Sequence, residues 1–180
     1  KKHSTNGTNL FKNVIASSGA FTDVTADSNG IIYASDSKGY IYVYTRDGEL
    51  IFSLGEKAGN NDVSGLFSSL TTIAVDNNGN IWTADGKKGF IQSFTPTEYA
   101  TTIYKALQEY ENGDYTDALK DWNYVLRLNQ MSVLAHNGVA KAYYNDEEYD
   151  KAMEHFEIAG NRSGYSDAFW EVRNKGIQKD

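Results

Sequence analysis

Residues 73–94 read IAVDNNGNIWTADGKKGFIQSF, and this stretch decides the fold of the first half of the chain. Apolar and β-branched segments alternate in it with an Asn-Gly pair and a glycine-containing loop, which is typical of short antiparallel strands joined by tight turns. Further out, residues 21–36 match residues 70–85 at a constant separation of 49, and the match resumes after one inserted residue, where Gly39 corresponds to Gly89. The first half therefore contains two copies of one unit.

Each copy predicts a meander of about four strands. Asn29-Gly30 and Asn78-Gly79 are residue pairs that favour type I′ hairpin turns. Four-stranded sheets that recur roughly every 40 to 50 residues are typical of the blades of a β-propeller. Four carboxylates recur between the copies and are expected to accept backbone N–H groups in turns, rather than to act in catalysis or bind calcium: Asp27, Asp36, Asp76 and Asp85.

The same residues resemble the NHL repeat, whose usual form is an I-A-V-D-x-x-G-N-I-Y-V-A-D core that ends in R-I-Q-x-F. The resemblance covers roughly residues 10–94 and includes the connecting stretch 55–69, with Gly65-Leu66-Phe67. It implies that residues 1–94 form part of an NHL-type β-propeller, with about two four-stranded blades. It leaves the function open, because such propellers serve both as binding platforms and as enzymes.

The number of blades is too small for a closed ring, since propellers take about 4 to 8. Residues 6–11 resemble residues 47–52, the turn and outer strand of a blade, as if the chain began inside an earlier blade. We therefore expect the chain to be a piece of a longer protein. The alternatives are an open sheet and an assembly between copies.

The second half has a different period, and the domain boundary is predicted near Phe94 and Thr95. Thr95-Pro96-Thr97-Glu98 has the pattern of a capping box with proline at the first helical position. Beyond it, Gly113-Asp114-Tyr115 recurs as Glu147-Glu148-Tyr149, at a separation of 34 in the numbering. The pattern predicts helices near residues 97–111, 114–128, 132–145 and 148–160, and a fifth, capping helix near residues 165–176.

This helical repeat resembles the tetratricopeptide repeat (TPR) over about residues 97–160. Small residues would let paired helices approach and aromatic residues would fill the gaps between pairs: Ala106, Ala118, Ala140 and Ala152, with Tyr115, Trp122, Tyr149 and Phe156. The sequence departs from the TPR consensus at Thr102 and His136, where an aromatic residue is usual, and at Gln130, where proline is usual. The resemblance implies an α-helical TPR hairpin stack over residues 95–180, and hence an α+β multidomain chain.

The order of the parts carries a further resemblance. An NHL propeller followed by TPRs and by GYSDAFWEVRN, residues 164–174, resembles the outer region of membrane-anchored cell-envelope proteins of Gram-positive bacteria, often found beside carbohydrate transport systems. It implies an extracytoplasmic location and a parent protein whose membrane anchor lies outside this chain. Residues 175–177 depart from the apolar or aromatic residue expected nearby.

Charge and composition exclude several classes of function. The net charge is −7, and residues 95–180 carry nine basic and fifteen acidic side chains, which argues against nucleic acid and favours a basic partner. The chain has no cysteine, so disulfides and thiolate chemistry are excluded. Because no apolar run reaches the roughly 18 to 20 residues that cross a bilayer, no membrane span is predicted in this chain.

The candidates for chemistry are few. His136 and His155 lie on different predicted helices, and His3 lies at the start of the chain, so surface or packing roles are expected. Residues 76–80 superficially resemble a calcium loop but lack its downstream glutamate. No phosphate-binding glycine motif occurs. We therefore predict no catalytic residue, no cofactor and no metal.

The predicted function is a non-enzymatic scaffold that binds a protein or peptide partner. In a TPR stack the first helix of each hairpin lines the concave face, so the resemblance gives the candidate partner-binding residues as Tyr104, Lys105, Gln108, Glu109, Asn137, Lys141 and Tyr144. Two alternatives stay open. One is a propeller enzyme with lactonase-like or lyase-like activity, and the other is a glycan-binding module that uses Tyr40, Tyr42, Tyr44 and Trp82.

Overall fold

The computed structural model describes residues 2–11, 15, 17, 19–58 and 63–177. The chain divides into two compact units, Lys1–Pro96 and Thr97–Asp180. The first unit is built from strands and the second from helices, which confirms the predicted α+β class with the β half first. The division lies two residues beyond the boundary predicted at Phe94 and Thr95.

The first unit contains nine strands in three sheets over its described residues. The first sheet is an antiparallel meander of β1 (Phe21–Ala26), β2 (Ile32–Asp36), β3 (Ile41–Tyr44) and β4 (Leu50–Leu54). A short parallel pair follows, β5 (Glu56–Lys57) with β6 (Leu66–Phe67). The second sheet is an antiparallel meander of β7 (Leu70–Val75), β8 (Ile81–Asp85) and β9 (Phe90–Phe94).

The second sheet has three strands, so the prediction of a second four-stranded blade is wrong. After β9 the chain reaches Pro96, which has no backbone N–H to donate to a neighbouring strand. Thr97 then caps a helix that begins at the next residue. Over the residues that the structure describes, no fourth strand pairs with this sheet, and the strands do not close into a propeller.

The hairpin turns are not the type I′ turns predicted for Asn29-Gly30 and Asn78-Gly79. Such turns need positive φ at both central residues. Only the glycines have it, with φ of 82° at Gly30 and 78° at Gly79. In the first loop the N–H of Asp27 donates to the Ile31 carbonyl at 3.0 Å, and the N–H of Gly30 donates to the Asp27 carbonyl at 3.1 Å. The hairpin loops therefore have three residues.

Aspartate side chains explain why the chain adopts these loops. Asp27 Oδ1 accepts the backbone N–H groups of Asn29 and Ile31, each at 2.9 Å, and Asp76 makes the equivalent bonds one repeat later. The indole N–H of Trp82 donates to Asp76 Oδ2 at 3.0 Å and is the largest cause that lowers the pKa of Asp76 to about 2. The turn-forming role predicted for these carboxylates is confirmed.

Asp36 and Asp85 are buried, and each ties two segments of the chain together. Asp85 Oδ1 accepts the N–H groups of residues 87–88 in the loop after β8, while Oδ2 accepts those of residues 68–69 before β7. Burial by itself would raise the pKa of Asp85, but these four donors outweigh it and lower the pKa. Asp36 joins its own loop to Gly19 in the same way, so the structural role predicted for both residues is confirmed.

The two larger sheets pack face to face, with β7 against β1 and β2. The buried apolar side chains on the facing sides are Tyr33, Ile41 and Val43 from the first sheet and Leu70, Ile73 and Ile81 from the second. Asp23 in β1 links the sheets, because its Oδ2 accepts the Thr72 hydroxyl at 2.7 Å and the Ile73 N–H at 3.0 Å. These two bonds lower the pKa of Asp23.

The second unit is built from five helices over its described residues, as predicted. They are α1 (Glu98–Asn112), α2 (Tyr115–Leu128), α3 (Val133–Asn145), α4 (Tyr149–Ile158) and α5 (Arg162–Ile177). The capping box predicted at Thr95 is wrong, since the N-cap is Thr97, whose side chain accepts the Ala100 N–H at 3.4 Å. Pro96 therefore precedes the helix rather than opening it.

Consecutive helices pack on one another in chain order, and the small residues predicted for this role are buried. Trp122 of α2 lies against Gly138 of α3, so that a Cβ at Gly138 would meet the indole ring at 2.3 Å. Phe156 of α4 lies against Gly164 of α5 in a similar way, at 2.5 Å from such a Cβ. Contact between an aromatic ring and a bare backbone thus sets the spacing of these helices.

The turn between paired helices recurs at the predicted spacing. Gly113 after α1 has a φ of 87°, and Glu147 after α3 has a φ of 60°. The next residue closes each turn: Asp114 N–H donates to the Glu109 carbonyl and Glu148 N–H to the Tyr143 carbonyl, both at 2.9 Å. Glycine adopts this left-handed conformation at low cost, whereas glutamate needs support from its surroundings.

We predict that Gly138→Ala destabilises the helical unit by about 1–3 kcal/mol, because the new methyl group overlaps the Trp122 ring. Urea unfolding followed by far-UV circular dichroism measures the effect. Gly176→Ala is the matched control, since nothing lies within 4 Å of a Cβ there and alanine favours a helix over glycine. Equal stability of the two variants would contradict the role given to Gly138.

We predict that Asp85→Ala destabilises the first unit by roughly 2–4 kcal/mol, because it removes a buried carboxylate and leaves partly buried N–H groups of two segments without their acceptor. Asp47→Ala, in the exposed turn between β3 and β4, removes the same carboxylate chemistry and is expected to have little effect. Differential scanning calorimetry of both variants compares them. A loss of stability as large in Asp47→Ala as in Asp85→Ala would show that carboxylate removal alone is responsible.

Candidate partner-binding surface

The seven candidate residues lie on two neighbouring helices. Tyr104, Lys105, Gln108 and Glu109 are on α1, and Asn137, Lys141 and Tyr144 are on α3. The structure joins α1 and α3 directly, since Asn145 Nδ2 donates to the Tyr110 hydroxyl at 2.9 Å. The first helices of the two pairs therefore lie side by side and present a shared surface.

Lys105 forms the charged centre of the α1 part. Its Nζ lies 3.0 Å from Glu109 Oε1 and 2.6 Å from Asp121 Oδ2 on α2, and these carboxylates raise the pKa of Lys105. The lysine side chain is largely exposed, while both carboxylates are mostly buried. Glu109 Oε2 is buried and has no hydrogen-bond partner. Lys105 therefore neutralises both carboxylates, and its ion pair with Asp121 joins α1 to α2.

Asn137 is buried rather than exposed on α3. Its Oδ1 accepts a hydrogen bond from Asn161 Nδ2 at 2.7 Å, and Asn161 Oδ1 accepts the N–H of Gly164 at 3.0 Å. These bonds hold the first turn of α5 against α3. The amide of Asn137 therefore acts inside the unit, where a partner does not reach it.

The remaining residues give the surface an aromatic and polar character. Gln108 is exposed, and Tyr104, Lys141 and Tyr144 are half-buried. Burial is the largest cause that raises the pKa of Tyr144, and the negative charges of Glu171 and Asp167 on α5 add to it. The acidic side chains of α5 thus act on Tyr144 through their charge.

Tyr110 is a residue of this surface that sequence reasoning missed. It packs against Tyr115 with ring centroids 5.3 Å apart, and Tyr144 packs against Tyr149 at 5.2 Å. The two pairs are one helical repeat apart in the sequence. Tyr110 could therefore have been found by counting one repeat back from Tyr144.

A groove of about 420 Å³ lies between the start of α4 and the end of α5. It is lined by residues 147–151 and by Val172, Lys175 and Gly176. Lys175 Nζ lies 2.8 Å from Glu147 Oε2 and 4.5 Å from the centroid of the Tyr149 ring. The acidic turn at residues 146–148 thus holds a lysine of its own chain.

His136 and His155 meet, although they are on different helices. Their Nδ1 atoms are 2.9 Å apart, and His136 Nε2 lies 3.0 Å from the Gln130 carbonyl. A carbonyl only accepts, so Nε2 of His136 is the donor in its contact with Gln130, and the two Nδ1 atoms lie within hydrogen-bond distance of each other. Burial, followed by the neighbouring His136, lowers the pKa of His155. The packing role predicted for both is consistent with this contact.

The aromatic residues proposed for glycan binding fall into two places. Tyr40, Tyr42 and Tyr44 form a row on one side of the first sheet, with centroids 6.1 and 6.2 Å apart, and Tyr44 is buried. Trp82 lies on the second sheet, on the side that faces away from the first. The four rings do not form one platform.

Neither a protein-family model nor a curated protein matches the chain. Among the residues that the structure describes, no three His, Asp or Glu side chains are grouped so that they could hold a metal ion. None of the described helices is long and apolar enough to cross a membrane.

We predict that the helical unit loses stability as the pH falls below about 6.5, the value of an unfolded histidine. The pKa of His155 is lower in the folded chain, so the unfolded chain takes up the proton first and stability is lost as the pH falls through that range. Urea unfolding between pH 8 and pH 5 measures it.

His155→Gln is expected to flatten this pH dependence, whereas His3→Gln, in the first unit, is expected to leave it as it is. Since most carboxylates stay ionised above about pH 5, they contribute little to the change of stability between pH 8 and pH 5. An unchanged slope in His155→Gln would exclude His155 as its source.

Proposed function

We propose that the chain is a non-enzymatic interaction scaffold whose helical unit binds an extended segment of a partner protein along α1 and α3. The observation that carries the proposal is the repetition of the helix pair. The turns at Gly113 and Glu147 are one repeat apart, and so are the tyrosine pairs at Tyr110 and Tyr144. Repeated helix pairs leave an extended surface along their equivalent helices. This repetition supports the proposed relation to TPR domains.

The chemistry of the surface favours a basic, extended partner. The negative charges of Glu171 and Asp167 on α5 help to raise the pKa of Tyr144, and residues 95–180 carry six more acidic than basic side chains. Half-buried tyrosines contribute large contact areas and lose few rotamers on binding. A peptide with lysine or arginine beside an apolar residue would therefore find both charge and ring surface there.

We propose in addition that the first unit is part of an NHL-type propeller, on the resemblance of residues 73–94 and on the recurrence of the Asp-closed loops in both sheets. The Ser4 loop supports this proposal, since Gly7 N–H donates to the Ser4 carbonyl and Ser4 N–H to the Thr8 carbonyl, as in the later hairpins. The location in a Gram-positive cell envelope, in a membrane-anchored parent beside a carbohydrate transport system, is proposed on resemblance alone.

The test is selection of short peptides on the immobilised chain from a random displayed library, followed by titration of the selected peptides. We predict enrichment of lysine and arginine, and binding that weakens with added salt. Glu171→Lys is expected to weaken binding about tenfold, which corresponds to about 1.4 kcal/mol. Glu157→Lys makes the same charge change at an exposed position of α4 and is expected to bind as the wild type does.

Two outcomes would contradict the proposal. One is a selection that enriches no basic residues. The other is an equal effect of the two charge reversals, which would mean that peptides respond to total charge and not to the surface of α1 and α3. Tyr144→Ala is the second variant, and its loss of binding at high salt would isolate the contribution of the ring.

A further inference from the structure

The two larger sheets place equivalent residues in different surroundings. Trp82 in β8 corresponds to Tyr33 in β2, and Ile91 in β9 corresponds to Ile41 in β3. Tyr33 and Ile41 are 0% exposed, whereas Trp82 is 45% and Ile91 is 70% exposed. We name the side of the second sheet that carries Trp82 and Ile91 the trailing face.

On the opposite sides of the two sheets, the difference in exposure is reversed. Leu70 and Ile73 of the second sheet are 2% and 4% exposed, whereas their equivalents in the first sheet, Phe21 and Val24, are 44% and 64% exposed. We name the side of the first sheet that carries Phe21 and Val24 the leading face. At these four pairs of equivalent positions, the residue that one sheet buries is exposed on the other, although Ala34 and Tyr44, which lie on the leading face, are themselves buried.

The contact inside the chain indicates what covers each kind of face. Inside the chain, the side of the first sheet that carries Tyr33 and Ile41 packs against the side of the second sheet that carries Leu70 and Ile73. The first of these sides is equivalent to the trailing face, and the second is equivalent to the leading face. The two open faces therefore carry the same pattern as a pair that already packs. By this residue pattern, a leading face is the surface that fits against a trailing face.

The polar groups of the trailing face permit it to be covered. The Trp82 N–H is already bonded to Asp76, just as the hydroxyl of the buried Tyr33 is bonded to Asp27. The other residues on this face carry no charge: Thr72, Ala74, Ala84 and Ser93. Covering the face would leave neither the indole donor nor a charge unpaired, and would remove apolar surface from water.

We propose that copies of this chain associate head to tail, with the trailing face of one copy packed on the leading face of the next. Because the two faces are different, the contact is heterologous and continues into chains or closes into rings. The inference concerns the first unit alone and does not rest on peptide binding by the helices. A second copy is the occupant because it carries a leading face of the required pattern.

The association is weaker than the contact inside the chain. Inside the chain, Asp23 accepts hydrogen bonds from Thr72 and Ile73. On the trailing face Thr72 stands at the position of Asp23, so the carboxylate is missing there. The assembly is therefore reversible and depends on concentration.

Sedimentation velocity over a range of concentrations tests the proposal. The wild type is expected to form species larger than a dimer as its concentration rises. Trp82→Asp and Val24→Asp are each expected to stay monomeric, because each removes one of the two faces. Leu128→Asp, at an exposed position in the helical unit, is the control that keeps the wild-type behaviour. Far-UV circular dichroism verifies that each variant is folded, and Ile91→Asp replaces Trp82→Asp if that variant is not.

A mixture of the two monomeric variants gives the decisive result. Trp82→Asp keeps its leading face and Val24→Asp keeps its trailing face, so together they are expected to form a one-to-one dimer and nothing larger. Self-association of Val24→Asp alone would mean that two trailing faces pair with each other, which overturns the proposal. A wild type that is monomeric throughout, or an effect of Leu128→Asp equal to that of Trp82→Asp, would also overturn it.

Discussion

A buried carboxylate at the end of a strand holds each large sheet together, and the rest of the first unit depends on it. Burying a carboxylate costs free energy unless several donors surround it. Asp85 meets this condition by accepting N–H groups from the loop after β8 and from the segment that enters β7. The same residue thus shapes a hairpin and fixes the chain that leads into the sheet. Asp36 does so in the first sheet, which explains why this aspartate recurs.

The second unit depends on the fit between rings and bare backbone. The Trp122 ring fills the space that a side chain at residue 138 would occupy, and the Phe156 ring does the same at residue 164. Where the chain turns between paired helices, however, the same left-handed conformation occurs at Gly113 and at Glu147. Lys175 compensates at the second site by donating to the carboxylate and the carbonyl of Glu147. The shape of the turn is thus kept although the residue that favours it is absent.

The sequence predicted the elements well, because periodic alanines and aromatic residues mark helix contacts and Asn-Gly pairs mark hairpins. It predicted the turn type wrongly, since acceptance of two N–H groups by Asp27 outweighs the preference of the Asn-Gly pair. It could not predict the pairing of His136 and His155, which are distant in sequence and meet only when α3 packs on α4. Asn137 is a candidate through the resemblance to TPR repeats, which does not reveal that Asn161 Nδ2 donates a hydrogen bond to the Asn137 amide oxygen.

The exposed aromatic side chains of α5 and of the second sheet have different surroundings, and this difference affects what can pack on them. At the last helix, the guanidinium of Arg173 lies 5.2 Å from the ring of Trp170, so a charge covers part of an exposed aromatic surface. At the last sheet, the ring of Trp82 and the side chain of Ile91 stand among uncharged residues. Removing a charged group from water costs free energy when a partner packs there, whereas removing an uncharged, largely apolar sheet face from water is favourable. The exposed face of the second sheet is therefore better suited than this part of α5 to pack on another sheet.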